Sequence, residues 1–411
     1  MILLFTFVTV MLAGMTGIAV INALTFPRLK EVQPDWKLDS KTESPPSPPA
    51  NIGPLVSILI PARNEAAVIG STVRRLLAQS YPNFEVIILD DQSTDGTAEQ
   101  ACRAGQNDSR LQVVPGTGLP PGWLGKNWAC AQLARRARGE WLVFADAEVQ
   151  WAPEALTGLL AEIERSRAEV ITVWPTQQTE GWSERLVVPL MALAIVGYLP
   201  LPLVHYTAWP SLAAANGQCL AFHRAAYERV GGHASVRGEV LEDVLLARRA
   251  KAAGLRLRMA DGGGLIGCRM YRSWSAVREG FAKNVLAGYG HSIPFLLLAT
   301  IFHWLVFLGP WVWLVSGSFG VRVPRWPWWP LSLVGLGVGV RGLTAAVTRQ
   351  RWLDALLMPV SVLLMTIIAA QSVYWQLRYG GPQWKGRTVR KNGRLEGWRT
   401  GGLEDGKAGH G

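Results

Sequence analysis

Two carboxylates that directly follow a short apolar stretch are the residues of this sequence best suited to chemistry. Residues 141–145 are uncharged and rich in β-forming side chains, and Asp146 and Glu148 follow them with one small residue between. On an extended backbone, positions i and i+2 project to the same side. Two hard oxygen ligands at the end of a strand suit Mg²⁺ or Mn²⁺ held against substrate phosphates. The alternative is an acid pair that caps the next helix, with Pro153 near its first turn.

The composition indicates a chain that is partly soluble and partly membrane-bound. Of its 411 residues 49% are hydrophobic and 17% charged, with 19 tryptophans and a net charge of +11. The positive charge suits lipid headgroups or nucleotide phosphates. Basic residues interleaved with aromatics do not form a compact patch, so no nucleic-acid partner is expected. The four scattered cysteines offer neither a zinc site nor a disulfide framework and suit a reducing compartment.

Strands and helices are predicted to alternate from residue 55 onward. Predicted strands at 55–60, 84–89, 111–114, 141–145 and 170–173 alternate with predicted helices at 65–79, 97–104, 126–138 and 153–170. Such alternation predicts an α/β domain with a mostly parallel sheet covered on both faces. Ligands bind beyond the carboxyl ends of the strands in such sheets, and the polar clusters of this sequence are expected there.

Three further clusters lie at those strand ends. Pro61-Ala62-Arg63-Asn64-Glu65 follows the first strand, and a segment that begins with Asp90 and Asp91 and ends at Thr97 follows the second. A helix cap would need only one of the residues in that second segment, whereas a base or ribose contact would use another acid. Lys126 opens a helix, where a cation opposes the helix dipole, so a bound anion such as a pyrophosphate would explain it.

These motifs, in this order, resemble the family 2 glycosyltransferases, which have a GT-A nucleotide-binding fold. The resemblance rests on the PARNE turn, the DDQSTDGT segment and the DxD-like Asp146-Ala-Glu148. The GWLGK stretch that ends at Lys126 is similar to the membrane-bound subgroup that includes carotenoid- and hopanoid-associated enzymes. The family usually has Asp where Glu148 stands.

The resemblance implies a role for each cluster. The nucleotide pocket would be lined by Pro61, Ala62, Arg63, Glu65, Asp90 and Asp91, with Asp146 and Glu148 holding Mg²⁺ or Mn²⁺ against the diphosphate. Lys126 and Arg272 are candidates for the charge of the diphosphate, and Arg272 and Trp274 resemble the arginine–tryptophan element of the family without its strict QxxRW spacing. In the Glu242–Asp243 pair, Asp243 would be the catalytic base, since inverting transfer needs one carboxylate to accept a proton. His223 and His233 are expected to be structural.

The chain is predicted to have membrane segments at both ends. Its parts are a membrane anchor at 1–24, a Pro/Ser-rich linker at 25–54, the catalytic domain at 55–290, a transmembrane region at 291–376 and a basic tail at 377–411. Arg28 and Lys30 after the anchor place the catalytic domain in the cytoplasm by the positive-inside rule; a cleaved signal peptide is the alternative.

The apolar segments differ in how well they suit a membrane crossing. Segments 293–318 and 353–375 are predicted to span, whereas 331–347 contains Arg341 and is expected to be re-entrant or interfacial; three crossings with an external tail are the alternative. The proline-interrupted 186–204 is predicted to lie on the bilayer or in the protein core. Residues 274–286 are predicted to form an amphipathic helix, interfacial or solvated, with Lys283 on its polar face.

The sequence therefore predicts an inverting, metal-dependent glycosyltransferase in the inner membrane of a bacterium, with its catalytic domain cytoplasmic. The donor is expected to be a nucleotide sugar, with a UDP-sugar favoured, and the acceptor a membrane lipid of carotenoid or other isoprenoid type. The alternatives are a processive polysaccharide synthase and a non-catalytic membrane assembly protein with the same fold. Intact Asp90, Asp91, Asp146 and Asp243 argue against the latter.

Overall fold

A seven-stranded sheet is the centre of the computed structural model, which describes residues 1–31, 53–381, 383–384 and 387–388. The strands are β1 Val56–Ala62, β2 Phe84–Asp90, β3 Leu111–Pro115, β4 Trp141–Ala145, β5 Val149–Trp151, β6 Val170–Trp174, β7 Thr176–Gln177, β8 Cys219–His223, β9 Leu257–Asp261, β10 Ile266–Cys268, β11 Gln383–Trp384 and β12 Arg387–Thr388. The α-helices are α1 Ile2–Thr25, α2 Ala66–Leu77, α3 Thr97–Gly105, α4 Gly125–Arg136, α5 Ala155–Ser166, α6 Trp182–Val187, α7 Pro189–Ala192, α8 Leu201–Tyr206, α9 Arg224–Arg229, α10 Glu242–Ala252, α11 Trp274–Gly288, α12 Ile293–His303, α13 Gly309–Ser318, α14 Trp328–Val347 and α15 Met358–Tyr379.

The order of strands in the sheet is β3-β2-β1-β4-β8-β6-β9, and β8 alone runs antiparallel to its neighbours. A second sheet, β5-β10-β7, lies beside it. The mostly parallel α/β sheet predicted from the alternating pattern is thus confirmed. Because β8 returns between β4 and β6, the loop that precedes it, which contains Gly217, lies against the end of β4 that carries Asp146.

Neighbouring residues of β1 point into the cores on opposite faces of the sheet. Ile58 packs in a cluster with Ile69 of α2, whereas Leu59 belongs to a cluster with Leu133 of α4 and Leu246 of α10. All five of these side chains are fully buried. This two-sided burial explains why the strands are nearly continuous apolar runs and why their polar residues appear only where the strands end.

Four helical segments in the described residues are long and apolar enough to cross a membrane: Ile2–Thr25, Ile293–Ser318, Trp328–Val347 and Trp352–Tyr379. The predicted spans at 1–24, 293–318 and 353–375 fall within three of them. The segment 331–347, expected to be re-entrant or interfacial, instead lies in a continuous helix of 20 residues. The greater parts of the predicted linker and basic tail lie outside the described residues.

Arg341 does not interrupt α14, because its side chain is completely buried inside the protein. Asp354, in the short helical turn before α15, lies close enough to interact with its charge and is itself bound by Arg185 of α6, with 2.9 Å between Arg185 Nε and Asp354 Oδ2. An arginine that faces protein and not lipid is the usual arrangement for a charge in an apolar helix. The sequence-based objection to a continuous helix here therefore does not hold.

The proline-rich stretch 186–204 forms a chain of short helices packed between the sheet domain and α1. Asn22 of α1 holds this stretch by three hydrogen bonds: its Nδ2 donates to the carbonyl oxygens of Val196 and Leu199, each at 2.8 Å, and its Oδ1 accepts from the Leu201 N–H at 2.9 Å. Asn22 is fully buried. Its amide thus satisfies backbone groups that the breaks in the short helices would leave without partners.

Replacement of Asn22 by Leu is expected to destabilise the protein by about 2–4 kcal/mol, because buried backbone groups would lose their partners. The measurement is thermal unfolding of the purified chain in detergent. Val20→Ala, at an exposed position of the same helix, is the matched control and should unfold like the wild type. Equal melting temperatures for Asn22→Leu and the control would contradict the assigned role.

Candidate active site

A cluster of acids and lysines lies at the carboxyl ends of β1, β2 and β4. β4 is wholly buried and its last residue is followed by Asp146, whose N–H donates to the Gln218 carbonyl oxygen at 3.3 Å. The Asp146 carbonyl oxygen in turn accepts from Val149 at 3.2 Å, which turns the chain into β5. The pair Asp146 and Glu148 is thereby held at the position that ligands occupy in parallel sheets.

Lys126 connects the end of β4 with the start of α10. Its Nζ lies 2.8 Å from Asp146 Oδ1 and 3.1 Å from Glu242 Oε1. Burial alone would lower the pKa of Lys126, but these two carboxylates outweigh burial and raise it well above its usual value. The lysine at a helix N-terminus, predicted from the sequence to need an anion, thus has two carboxylates of the protein as partners.

Asp243 has the environment of a general base. The Gly217 N–H donates to its Oδ2 at 2.7 Å, and the Val244 N–H donates to its Oδ1 at 2.8 Å. Burial and the neighbouring Glu242 raise the pKa of Asp243 to about 7, against the opposing effects of Lys126 and the two N–H donors. A carboxylate with a pKa close to the working pH is well matched to proton abstraction.

Gly217 is required by the close packing of this cluster. A Cβ at Gly217 would lie 3.2 Å from Asp243 Oδ2 and 3.3 Å from Lys126 Nζ. Both distances are shorter than ordinary van der Waals contacts. The glycine therefore allows the backbone N–H to approach the Asp243 carboxylate while Lys126 stays beside it.

Glu148 is crowded by other acids. Burial, followed by the charges of Asp146 and Glu65, raises its pKa to about 7. In the part of the chain that the structure describes, no group of three or more His, Cys, Asp or Glu side chains is placed to hold a metal ion alone. Two hard carboxylates that repel each other suit a Mg²⁺ or Mn²⁺ ion whose remaining ligands are phosphate and water oxygens. The residues present therefore fit a divalent metal that binds together with a nucleotide.

The two loops predicted to line a nucleotide pocket are joined to each other. Arg63 Nη1 donates to the Asp91 carbonyl oxygen at 2.7 Å, and the Asp91 N–H donates to the Ala62 carbonyl oxygen at 2.8 Å. The N–H of Glu65 donates to Thr97 Oγ1 at 2.8 Å. Asp90 Oδ1 is buried without a hydrogen-bond partner in the described structure. A buried acceptor of this kind would be satisfied by a hydroxyl or N–H of a ligand.

Arg272 lies just before α11, and Trp274 is the first residue of that helix. Arg272 is exposed, and no described hydrogen bond or ion pair joins it to the carboxylates. Trp274 packs against Trp182, with 5.8 Å between the ring centroids. The contacts of the described residues therefore do not bring these two to the acids.

Histidine 233 is held in a structural contact, as expected from the sequence. Its Nδ1 lies 2.9 Å from the hydroxyl oxygen of Tyr227, and its ring packs 4.6 Å from that of Phe144. Burial lowers the pKa of His233 to about 3, so the ring is neutral. His223 lies at the other end of the sheet, 3.5 Å from Glu140.

Sequence reasoning missed two residues of this region, Asn127 and Lys283. Asn127 is buried and its Nδ2 donates to the carbonyl oxygens of Val236 at 2.8 Å, Arg237 at 3.2 Å and Glu239 at 2.9 Å. It thereby fixes the loop that leads into Glu242 and Asp243. Lys283, assigned from helical spacing to a polar face, lies within interaction range of the charges of Asp146, Glu148 and Glu242. The one sequence signal for Asn127 is its position next to Lys126, which opens the predicted helix. No sequence signal indicates the surroundings of Lys283.

Asn127→Ala is expected to loosen the loop before α10, because the carbonyl groups of Val236, Arg237 and Glu239 would each lose the hydrogen bond from Asn127. Hydrogen exchange of residues 236–241 should become faster, and stability should fall by about 1–3 kcal/mol. Arg136→Ala, an exposed position of the same helix, serves as the control. Unchanged exchange in this loop would show that Asn127 does not hold it.

Comparison with known proteins finds similarity to glycosyltransferases over part of the chain. Residues 57–231 match the family model described as Glycosyl transferase family 2. The 4,4'-diaponeurosporenoate glycosyltransferase of Staphylococcus haemolyticus is 25% identical over 260 residues, which are 61% of this chain and 66% of that protein. The enzyme of the same name from Staphylococcus aureus is 26% identical over 253 residues, which are 61% of this chain and 65% of that protein. The match therefore spans just under two thirds of the length of these relatives.

The fold is also that of a solved structure. The mannosyltransferase of Pyrobaculum calidifontis, in complex with GDP-Man and Mn²⁺, superposes with a TM-score of 0.50 at 19% identity, covering 90% of this chain and 99% of that chain. At this level of identity the likeness concerns the fold alone. The GT-A fold that the motifs predicted is thus confirmed.

Proposed function

We propose that this chain, whose residues 57–231 are a family 2 glycosyltransferase domain, transfers a sugar from a nucleotide sugar to a hydroxyl or carboxyl group of a membrane lipid with inversion at the anomeric carbon. One observation carries the proposal: Lys126 joins Asp146, at the end of β4, to Glu242, next to Asp243 at the start of α10. A candidate metal-binding acid and a candidate base thereby share one site at the edge of a nucleotide-binding type of sheet.

The donor pocket is assigned to the two joined loops after β1 and β2. Pro61, Ala62, Arg63 and Glu65 line one side, and Asp90 and Asp91 the other. The orphaned Asp90 Oδ1 supports a contact with a ribose hydroxyl or a base N–H, because either would supply the missing donor. A UDP-sugar is the favoured donor.

Asp146 and Glu148 are assigned to a Mg²⁺ or Mn²⁺ ion, which would neutralise negative charge on the departing diphosphate. The crowding that raises the pKa of Glu148 supports this assignment, since a cation between the two carboxylates would relieve it. Lys126, already at the Asp146 side chain, would orient that carboxylate.

Asp243 is assigned as the base that takes the proton of the acceptor. Its two backbone donors hold both carboxylate oxygens in fixed positions, one of them beside Lys126. As the acceptor oxygen attacks the anomeric carbon, its proton passes to Asp243, and the bond between that carbon and the diphosphate breaks. Glu242 lies beside Asp243 in the sequence and, through its ion pair with Lys126, orients the lysine.

The proposed acceptor is a lipid of the membrane. The relatives are named for 4,4'-diaponeurosporenoate, which supports an isoprenoid-like acceptor for this chain. Four helices long enough to cross a bilayer, together with exposed Trp182, Tyr206 and Trp209 beside the short helices α6 to α8, would place the site at a membrane surface. Arg28 and Lys30 after α1 support a cytoplasmic catalytic domain in the inner membrane of a bacterium.

Asp146→Asn is expected to weaken Mn²⁺-dependent binding of UDP or GDP at least about tenfold, because the ion would lose one of its two carboxylates. Titration calorimetry in detergent with each nucleotide, with and without Mn²⁺, measures this without requiring the acceptor. The matched control is Glu140→Gln, an exposed acid just before β4. If Asp146→Asn and the control bind the nucleotide equally well with Mn²⁺, the metal assignment is wrong.

The rate of transfer should depend on the ionisation of Asp243. Since its pKa is raised to about 7 and the base must be deprotonated to act, kcat/KM should rise about tenfold per pH unit below pH 7 and level off above it. The profile is measured at saturating Mn²⁺ with donor and membrane-lipid extract. Asp243→Asn should lose at least about a hundredfold in rate while nucleotide binding stays intact. A flat profile in the wild type would refute the assignment.

A further inference from the structure

Three arginines surround a single carboxylate at the turn between α14 and α15. Arg185 of α6 binds both oxygens of Asp354, with 2.9 Å between its Nε and Asp354 Oδ2. Arg351 Nε lies 4.0 Å from the same oxygen, and the charge of Arg341 in α14 also interacts with Asp354. Within the described parts of the chain, no other carboxylate forms an ion pair with any of these arginines. Three positive charges therefore face one negative charge.

Arg341 is buried beside this turn without a hydrogen-bond partner. Its side chain is completely buried, and its Nε, Nη1 and Nη2 have no partner among the described residues. The helix packs closely on the turn at this level, because a Cβ at Gly342 would lie 3.8 Å from Ala355 Cβ and 3.9 Å from the Trp352 carbonyl oxygen. A buried guanidinium with unsatisfied donors is unfavourable, so an anionic group close to the turn would stabilise the protein.

The residues that connect α14 to the turn offer further unpaired polar groups. The backbone of Gln350 is fixed, since its N–H donates to the Ala345 carbonyl oxygen at 2.7 Å. Its side-chain Nε2 and Oε1 are nevertheless both buried without a hydrogen-bond partner in the described structure. Arg351, the next residue, has 60% of its side chain exposed. Unpaired buried groups are rare in native proteins, and their concentration next to Arg341 indicates a ligand that accepts hydrogen bonds.

The turn also presents apolar side chains to its surroundings. Trp352, Leu353 and Leu356 are each more than half exposed, in the stretch that joins two segments long and apolar enough to cross a membrane. The turn lies at the end of α14 nearest the sheet domain, since Arg28 Nη2, just after α1, donates to the Val347 carbonyl oxygen at 3.2 Å. A tryptophan at the end of a span is typical of the level of the lipid headgroups. The arginines of the turn would therefore lie beside lipid phosphates.

We propose that Arg185, Arg341 and Arg351 form a binding site for the phosphate group of an anionic phospholipid from the surrounding bilayer. A planar guanidinium can donate two parallel hydrogen bonds to a phosphate, so the exposed Arg351 suits direct contact. Arg341 lies deeper, and its charge attracts the anion from behind. A soluble anion would use these charges alone, whereas Trp352 and Leu356 also offer contact with acyl chains. The excess positive charge favours a lipid with net negative charge over a neutral one.

A lipid at this site would stabilise the helix that links the membrane part of the chain to the sheet domain. Arg185 belongs to α6, and the preceding residue, Glu184, accepts hydrogen bonds from Arg269 Nε at 3.1 Å and Nη2 at 3.2 Å. Arg269 directly follows β10, which pairs with β5 just after Glu148. Lipid binding should therefore stabilise the whole chain and not the apolar helices alone.

The test measures thermal unfolding of the full-length chain in detergent during titration with phosphatidylglycerol or phosphatidylcholine. Phosphatidylglycerol should raise the melting temperature of the wild type with increasing concentration, and phosphatidylcholine should raise it much less. Arg351→Gln should need about tenfold more phosphatidylglycerol for the same rise, because it loses a charge-assisted contact. Arg322→Gln, at an exposed position beyond the other end of α14, is the matched control and should respond like the wild type.

Arg341→Met tests the buried member of the site separately. Without phosphatidylglycerol this variant should unfold no more easily than the wild type, because the change removes a buried charge whose donors are unpaired. It should nevertheless lose most of the stabilisation by phosphatidylglycerol. An arginine with a purely structural role would give the reverse result, a lower melting temperature without lipid and a normal response to it.

Three further results would overturn the proposal. Equal stabilisation of the wild type by the two lipids would show that apolar contacts act alone. Equal stabilisation by soluble glycerol 3-phosphate would assign the site to a free anion. An unchanged response to phosphatidylglycerol in both Arg351→Gln and Arg341→Met would place the lipid elsewhere. None of these measurements requires sugar transfer, so their result is independent of the proposed function.

Discussion

The ion-pair bridge of Lys126 is the interaction on which the site depends. Asp146 and Glu242 are far apart in sequence, and each has a second acid within two residues of it. Two like charges about 4 Å apart repel by roughly 4 kcal/mol at an effective dielectric constant near 20, so four acids would not remain together without a cation. Lys126 binds one acid from each pair, at 2.8 and 3.1 Å, and leaves Glu148 and Asp243 with pKa values raised to about 7. The same bridge that assembles the cluster thus pairs one acid of each pair with a lysine and leaves the other acid of each pair with a raised pKa.

The topology of the sheet explains why these acids meet at all. Asp90 ends β2 and Asp146 directly follows β4. Because both strands run parallel to β1, the two acids lie at the same edge of the sheet, as expected for a doubly wound sheet. The one antiparallel strand, β8, is preceded by the loop with Gly217, whose N–H binds Asp243. The antiparallel return is therefore what connects the acids at the ends of the parallel strands to Asp243, the proposed base.

How far the sequence predicted this arrangement depends on how local each signal is. A strand that is buried on both faces is apolar throughout, so Asp146, the first acid after β4, is recognisable from the abrupt end of the apolar run. The contact between the loops after β1 and β2 was predictable, because the carboxyl ends of parallel neighbouring strands lie at the same edge of the sheet. Lys126 was noticed because a cation opposes the dipole of its helix, yet an external anion was expected where two protein carboxylates bind it. Helical spacing assigned Lys283 to a polar face, and the charge of Arg341 led to the expectation that 331–347 is re-entrant or interfacial. Neither signal shows which protein groups pack over a charged side chain, and Arg341 is in fact buried inside the protein.

The long apolar helices pack against elements of the sheet domain. Asn22 of α1 supplies hydrogen bonds to the broken helical stretch 186–204. α6, which overlaps the start of this stretch, carries Arg185, which binds Asp354 before α15. α15 then packs on α11 through Ile368 and Trp375. Each of these contacts joins a membrane segment to an element of the catalytic domain. Under the proposed function, an acceptor that arrives from the bilayer would meet a site whose surrounding elements pack against these same helices.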